Sequence, residues 1–124
     1  LKYQAAIHQS RGRKSAAREA LRKSLALDPD QAEPHVMIAN LYATSARDCG
    51  LDSNIAGLVF VAAVSEMQQA AARETDPEKK ASYNSTIAKY KAAYPEKSML
   101  FMKGLNSGSS MTIGGWMGVT ITVP

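Results

Sequence analysis

The chain carries two histidines, one cysteine and one tryptophan, and these are the first side chains to test for metal binding, nucleophilic attack or aromatic recognition. His8 and His35 fall in separate helical segments, and neither has a second His, Cys or carboxylate at metal-ligand spacing on its own helix face. Both are read as structural. Cys49, between Asp48 and Gly50, has no local signature of a nucleophilic thiol, and a single Cys excludes an intramolecular disulfide. Gly104, Gly108, Gly114, Gly115 and Gly118 lack the strand, glycine-rich turn and helix that cradle phosphate, and no Lys-Ser or Lys-Thr follows them. With no nucleophile paired to a base and no working cluster of carboxylates, the chain is read as non-enzymatic, without catalytic, cofactor-binding or metal sites.

Charge is the next source of chemistry. Fifteen Lys and Arg against eleven Asp and Glu give a net charge of +4, and the excess gathers early, in Arg11, Arg13, Lys14, Arg18, Arg22 and Lys23. A nucleic-acid or anionic-membrane patch is one reading of that run. No aromatic residues interleave to stack on bases, so it is read instead as the solvated face of an amphipathic helix whose inner side is Ala17, Leu21, Ser24 and Leu25. Trp116 is read as a plug that packs the tail against the last helix pair, in preference to an exposed anchor for a partner.

The elements that position these residues follow from breaker chemistry. At 124 residues, with 45% hydrophobic and 21% charged residues, the chain can bury a core without disulfides or metals. Helices are expected near Leu1 to Ser10, from Lys14 to Ala26 before Asp28-Pro29, and from Ala32 to Ser45 with Pro34 in the first turn. A loop over 46–54 offers Asp52 or Ser53 as an N-cap. A fourth helix, Asn54 to Glu74, is apolar nearly all round at first and so is expected to be sandwiched between neighbours. A fifth runs from Pro77 to Ala93 with a stripe of Tyr83, Ile87, Tyr90 and Tyr94, closed by Pro95. The most apolar stretch, Ile55 to Val64, is about half the length of a membrane span, so no membrane insertion is expected in this segment.

Beyond Pro95 the composition turns to Gly, Ser, Thr and Val. Met99 to Leu105 is expected to form one more helical turn. Ser110 to Ile113 and Trp116 to Val123 read as strands joined by a tight turn at Gly114-Gly115. The division is therefore helices over 1–94 and a capping tail over 95–124.

Internal repetition organises the helical part. Ala17, Leu21 and Ser24 set small, large and small residues at steps of four and three, and Ala63, Met67 and Ala70 repeat the order. Leu25-Ala26-Leu27-Asp28-Pro29 follows the first set, and His35, Ile38, Ala39 and Tyr42 follow at steps of three, one and three. This combination resembles the tetratricopeptide repeat. The spacing from Ala39 to Ala63 exceeds the repeat by about twelve residues, which places an insertion near 44–55, and the unit starting at Pro77 replaces its second helix with the tail. Tyr94-Pro95-Glu96-Lys97, Phe101, Gly104-Leu105 and Met111-Thr112-Ile113-Gly114-Gly115-Trp116-Met117 with Thr120 look like the C-termini of uncharacterised tetratricopeptide proteins of Bacteroidetes, and Ala46 to Gly50 looks similar as well.

The resemblance implies an all-α, right-handed superhelix of stacked helical hairpins ending in a short hairpin or extended tail. It also implies a scaffold that binds a peptide or partner domain on its concave face, where Lys2, Gln9, Glu33, Asn40, Asn84 and Lys91 would stand. The asparagines could grip a peptide backbone and the lysines a carboxylate. No cofactor and no nucleic acid are expected. A structural or oligomerisation module that self-associates is the alternative. Relatives with this tail look exported to the periplasm or cell envelope. Because the chain opens on Leu1 in mid-helix, it is expected to extend upstream.

Overall fold

The structure, a computed structural model, describes residues 14–46, 49 and 51–124. The helix expected over Leu1 to Ser10, with Lys2, His8 and Gln9, lies outside these residues, as do Arg47, Asp48 and Gly50 of the insertion.

The described residues are mostly helical, with one small sheet among them. Helix α1 spans Lys14–Leu27 and α2 spans Glu33–Ala43, with Pro34 in the first turn of α2, where its missing N–H costs nothing. A single 3-10 turn, Ala56–Leu58, leads into α3, Val59–Arg73. Helix α4, Pro77–Ala92, is capped by Asp76, whose carboxylate accepts the Glu78 N–H at 3.0 Å. Helix α5 covers Lys97–Met102. Strands β1, Ser110–Ile113, and β2, Val119–Thr122, pair antiparallel with Met111 opposite Ile121 and Thr112 opposite Thr120.

Helix α3 is the centre of the fold. It packs against both α2 and α4, and β2 leans on it as well, which accounts for buried residues on several sides: Val59, Ala62, Val64, Met67 and Ala71. The nine positions of the repeat pattern, Ala17, Leu21, Ser24, Ile38, Ala39, Tyr42, Ala63, Met67 and Ala70, are all buried. Helix α4 is different in kind, since it buries no residue fully. Its stripe of Tyr83, Ile87 and Tyr90 packs half-buried against the core, with the Phe60 and Tyr90 rings 5.3 Å apart.

Two expectations need correction, while the described part of 46–54 is a loop as expected and buries Cys49. Asp52 does not cap a helix; its carboxylate accepts the Asn54 N–H at 2.9 Å and Lys103 Nζ donates to it at 2.7 Å, tying the insertion to the end of α5. The strand connection is also longer than a two-residue turn. It runs from Gly114 to Gly118, with Gly115 and Gly118 at φ of 62° and 53°, and only glycine adopts that backbone without strain. A five-residue connection leaves room for Trp116 and Met117 to turn inward, which a tight turn would not.

Candidate partner-binding surface

Three basic residues of α1 reach partners on other elements of the molecule. Lys14, Arg18 and Arg22 recur every four residues and so share one helix face. Lys14 Nζ donates to the Thr44 carbonyl at 2.9 Å and to Ser45 Oγ at 3.1 Å. Arg18 donates to the carbonyls of Met117 at 2.5 Å and Trp116 at 3.1 Å, and to Tyr42 Oη at 3.2 Å. Its guanidinium also lies 5.1 Å from the centre of the Trp116 ring and 5.8 Å from that of Tyr42, within range of a cation–π attraction. The solvated-face reading is therefore corrected at Lys14 and Arg18, which are half-buried against these partners, while Arg22 and Lys23 stay exposed, Lys23 beside Glu19, and Arg11 and Arg13 lie outside the described residues.

Trp116 is the receiving end of that stripe. Its Nε1 donates to Ser45 Oγ at 3.1 Å, and its ring lies 5.7 Å from that of Tyr42. Ser45 is fully buried and in turn donates to the Leu41 carbonyl at 2.6 Å, so the indole N–H is satisfied indoors. Trp116 does plug the tail, but it seats on α1 and α2 instead of the last helix pair. The glycine-bounded connection carries it there.

Arg22 meets a carboxylate that sequence reasoning passed over. Glu66, in the middle of α3, is 5% exposed and His35, on α2, is 4% exposed. His35 Nδ1 lies 2.6 Å from Glu66 Oε2, and Arg22 forms an ion pair with Glu66 Oε1. The tautomer that satisfies the carboxylate has Nδ1–H donating. Desolvation works against the charge on Arg22 and is the largest single influence. The hydrogen bond and charge of Glu66, helped by Tyr42, outweigh it and hold the guanidinium pKa above its ordinary value. Both oxygens of Glu66 are thus engaged, which joins α1, α2 and α3 at one point.

Outside this clamp lies a groove of about 410 Å³. Its walls are α3, the end of α4 with the residues just after it, and strand β2, Val119–Thr122, and its polar side chains include Arg22, Glu66, Lys91 and Tyr94. Lys91 is exposed, and the Arg22 side chain is 45% exposed. Arg22 and Glu66 offset each other as an ion pair, which leaves Lys91 as the uncompensated charge of this lining. Burial pushes the Tyr94 phenol upward from its ordinary pKa, so it stands neutral there as donor and acceptor.

The residues expected to form one concave row are dispersed. Lys91 lines this groove. Glu33 lines a separate depression of about 400 Å³ with Arg73, Lys79 and Tyr83, beside the first half of α4. Asn40 and Asn84 are exposed on α2 and α4 and line neither depression. Lys2 and Gln9 lie outside the described residues. Two signals pointed to the groups that were missed: the fourfold spacing of Lys14, Arg18 and Arg22, and one carboxylate, Glu66, set within an apolar run from Val59 to Met67.

Among the described residues no three His, Cys, Asp or Glu side chains gather where a metal ion could be held. Among them, too, no helix is long and apolar enough to cross a membrane. Comparison with protein-family models, curated proteins and solved structures gives no match to this chain.

Proposed function

We propose that the chain is a non-catalytic interaction scaffold, a tetratricopeptide-like right-handed stack of helical hairpins that binds a peptide or partner domain. The observation that carries the reading is the groove between α3, the end of α4 and β2, with the exposed Lys91 on its wall. Burial of the small residues Ala17, Ala39 and Ala63 supports the stacked architecture, because each lets a neighbouring helix approach closely.

Selection from a random-peptide display library tests it. Enriched peptides should bind the wild-type chain in fluorescence polarisation and bind a Lys91→Glu variant about tenfold or more weakly, with the thermal melt unchanged. A library that yields no enriched peptide, or equal binding by the variant, removes this surface as the recognition site.

One observation favours the alternative, a self-associating structural module. Phe101 and Met102 on α5 are 74% and 77% exposed, and they border an apolar depression of about 450 Å³ with Leu100, Leu105 and Pro124. Light scattering separates the two readings: a concentration-independent monomer supports the scaffold, and a dimer abolished by Phe101→Ser supports the module.

A further inference from the structure

The two-stranded sheet has an unused edge that borders the groove. Outside the two strands, the backbone ladder continues with the Gly108 N–H donating to the Val123 carbonyl at 2.9 Å and the Val123 N–H donating to the Ser109 carbonyl at 2.8 Å. Antiparallel pairs alternate between bonded and non-bonded positions. Counting from that exchange, Met111 with Ile121 and Ile113 with Val119 are bonded pairs, while Ser110 with Thr122 and Thr112 with Thr120 are not. The short separation of the Thr112 and Thr120 hydroxyls, 3.0 Å, agrees with a non-bonded pair, where side chains stand closer. The N–H and C=O groups of Thr120 and Thr122 therefore point away from β1. Among the described residues no other backbone group meets them, and β2 is the strand that lines the groove.

An exposed edge of this kind is a template for a further strand. From the open edge of β2 and the exposed Lys91 beside it, we propose that an acidic polypeptide segment of a partner adds to β2 as a third strand, with a carboxylate against Lys91. The proposal rests on the scaffold reading and names its site and the chemistry of its partner. Thr120 and Thr122 supply main-chain bonds that do not depend on sequence, and Lys91 selects the charge. A second copy of the chain is a poorer occupant, since two-fold pairing through β2 would bring no carboxylate of this groove to Lys91, Glu66 being held by Arg22 and His35.

The probe is a fluorescein-labelled peptide of about eight residues alternating valine and glutamate, titrated in fluorescence polarisation against the whole chain. A matched peptide alternating valine and lysine serves as the charge control. Binding should be confined to the acidic peptide and should fall about fivefold or more in Thr120→Pro, because proline removes an edge N–H that the β1 ladder does not use. Ser110→Pro, which removes the corresponding N–H on the far edge of β1, should leave binding unchanged, and Lys91→Glu should weaken it. The peptide itself provides a test that leaves the protein intact. N-methylation of its valines and, separately, of its glutamates should abolish binding in one form and spare it in the other, since alternate N–H groups face β2. Equal behaviour of the two methylated forms, wild-type affinity in Thr120→Pro, or no binding of the acidic peptide would overturn strand addition. So would a dimer of the chain alone that Thr120→Pro converts to monomer, which would give the edge to a second copy. Library peptides that bind the groove while Thr120→Pro binds them normally would leave the scaffold reading standing and remove only the strand.

Discussion

Glu66 shows how much one side chain decides in this molecule. A carboxylate at 5% exposure is tolerable only because His35 and Arg22 occupy both of its oxygens. Glu66→Ala should destabilise the chain by about 3 kcal/mol, at the low end for a broken buried pair because Arg22 is partly in water. Urea denaturation measures this, and an unchanged midpoint would mean that the clamp contributes nothing. The tyrosines of α4 and Tyr94 just beyond it make a second prediction at this scale. Burial raises the pKa of Tyr83, Tyr90 and Tyr94 above 10.0, and for Tyr83 the hydrogen bond to Glu74 adds to the shift. A folded pKa above the unfolded one means that the neutral phenol is favoured. Their contribution is therefore complete below about pH 10 and is lost as pH rises through the raised values. Melting temperature should drop over that alkaline window, and Tyr90→Phe with Tyr94→Phe should blunt the drop.

At the scale of elements, breaker and capping chemistry made most boundaries legible. Asp76-Pro77 starts α4, Asp28-Pro29 separates α1 from α2, and the β-branched residues of the tail become strands where expected. What the sequence did not disclose was where each face would be covered. Periodicity assigns Arg18 and Arg22 to one side of α1, but their partners, Trp116 and Glu66, lie 98 and 44 residues away, and no local pattern encodes such pairings. The groove was legible in part for the same reason. Lys91 belongs to a recognisable helix face, whereas its neighbour β2 arrives only through tertiary packing. Close approach between elements can be tested directly. A Cβ at Gly57 would stand 2.3 Å from the Ala93 carbonyl oxygen, so Gly57→Ala must push the start of α3 away from the end of α4. Ala39→Leu overpacks a site with no exposed surface. Each should cost roughly 1 to 3 kcal/mol in chemical denaturation. A Gly57→Ala variant as stable as wild type would show that α4 does not rest on that turn.

At the scale of the whole molecule, the tail folds back onto α1 and α2. Arg18 and Ser45 hold Trp116, the hairpin buries Ile113, Ile121 and Val123, and β2 is set beside α3 with one edge free. The resulting surface is a groove between a helix and a strand edge with Lys91 on its rim, a shape that an extended polypeptide can line. Trp116→Ala should therefore loosen the hairpin and lower affinity for any groove ligand while leaving helix content nearly intact, as read by circular dichroism and polarisation together. The measurement that bears most directly on partner binding is an amide NMR titration of the isotopically labelled chain with a library-selected peptide. Binding in the groove predicts shifts concentrated at residues 119–122 and at Lys91 and Tyr94. Shifts centred instead on Phe101 and Met102, or spread evenly without saturation, would contradict it.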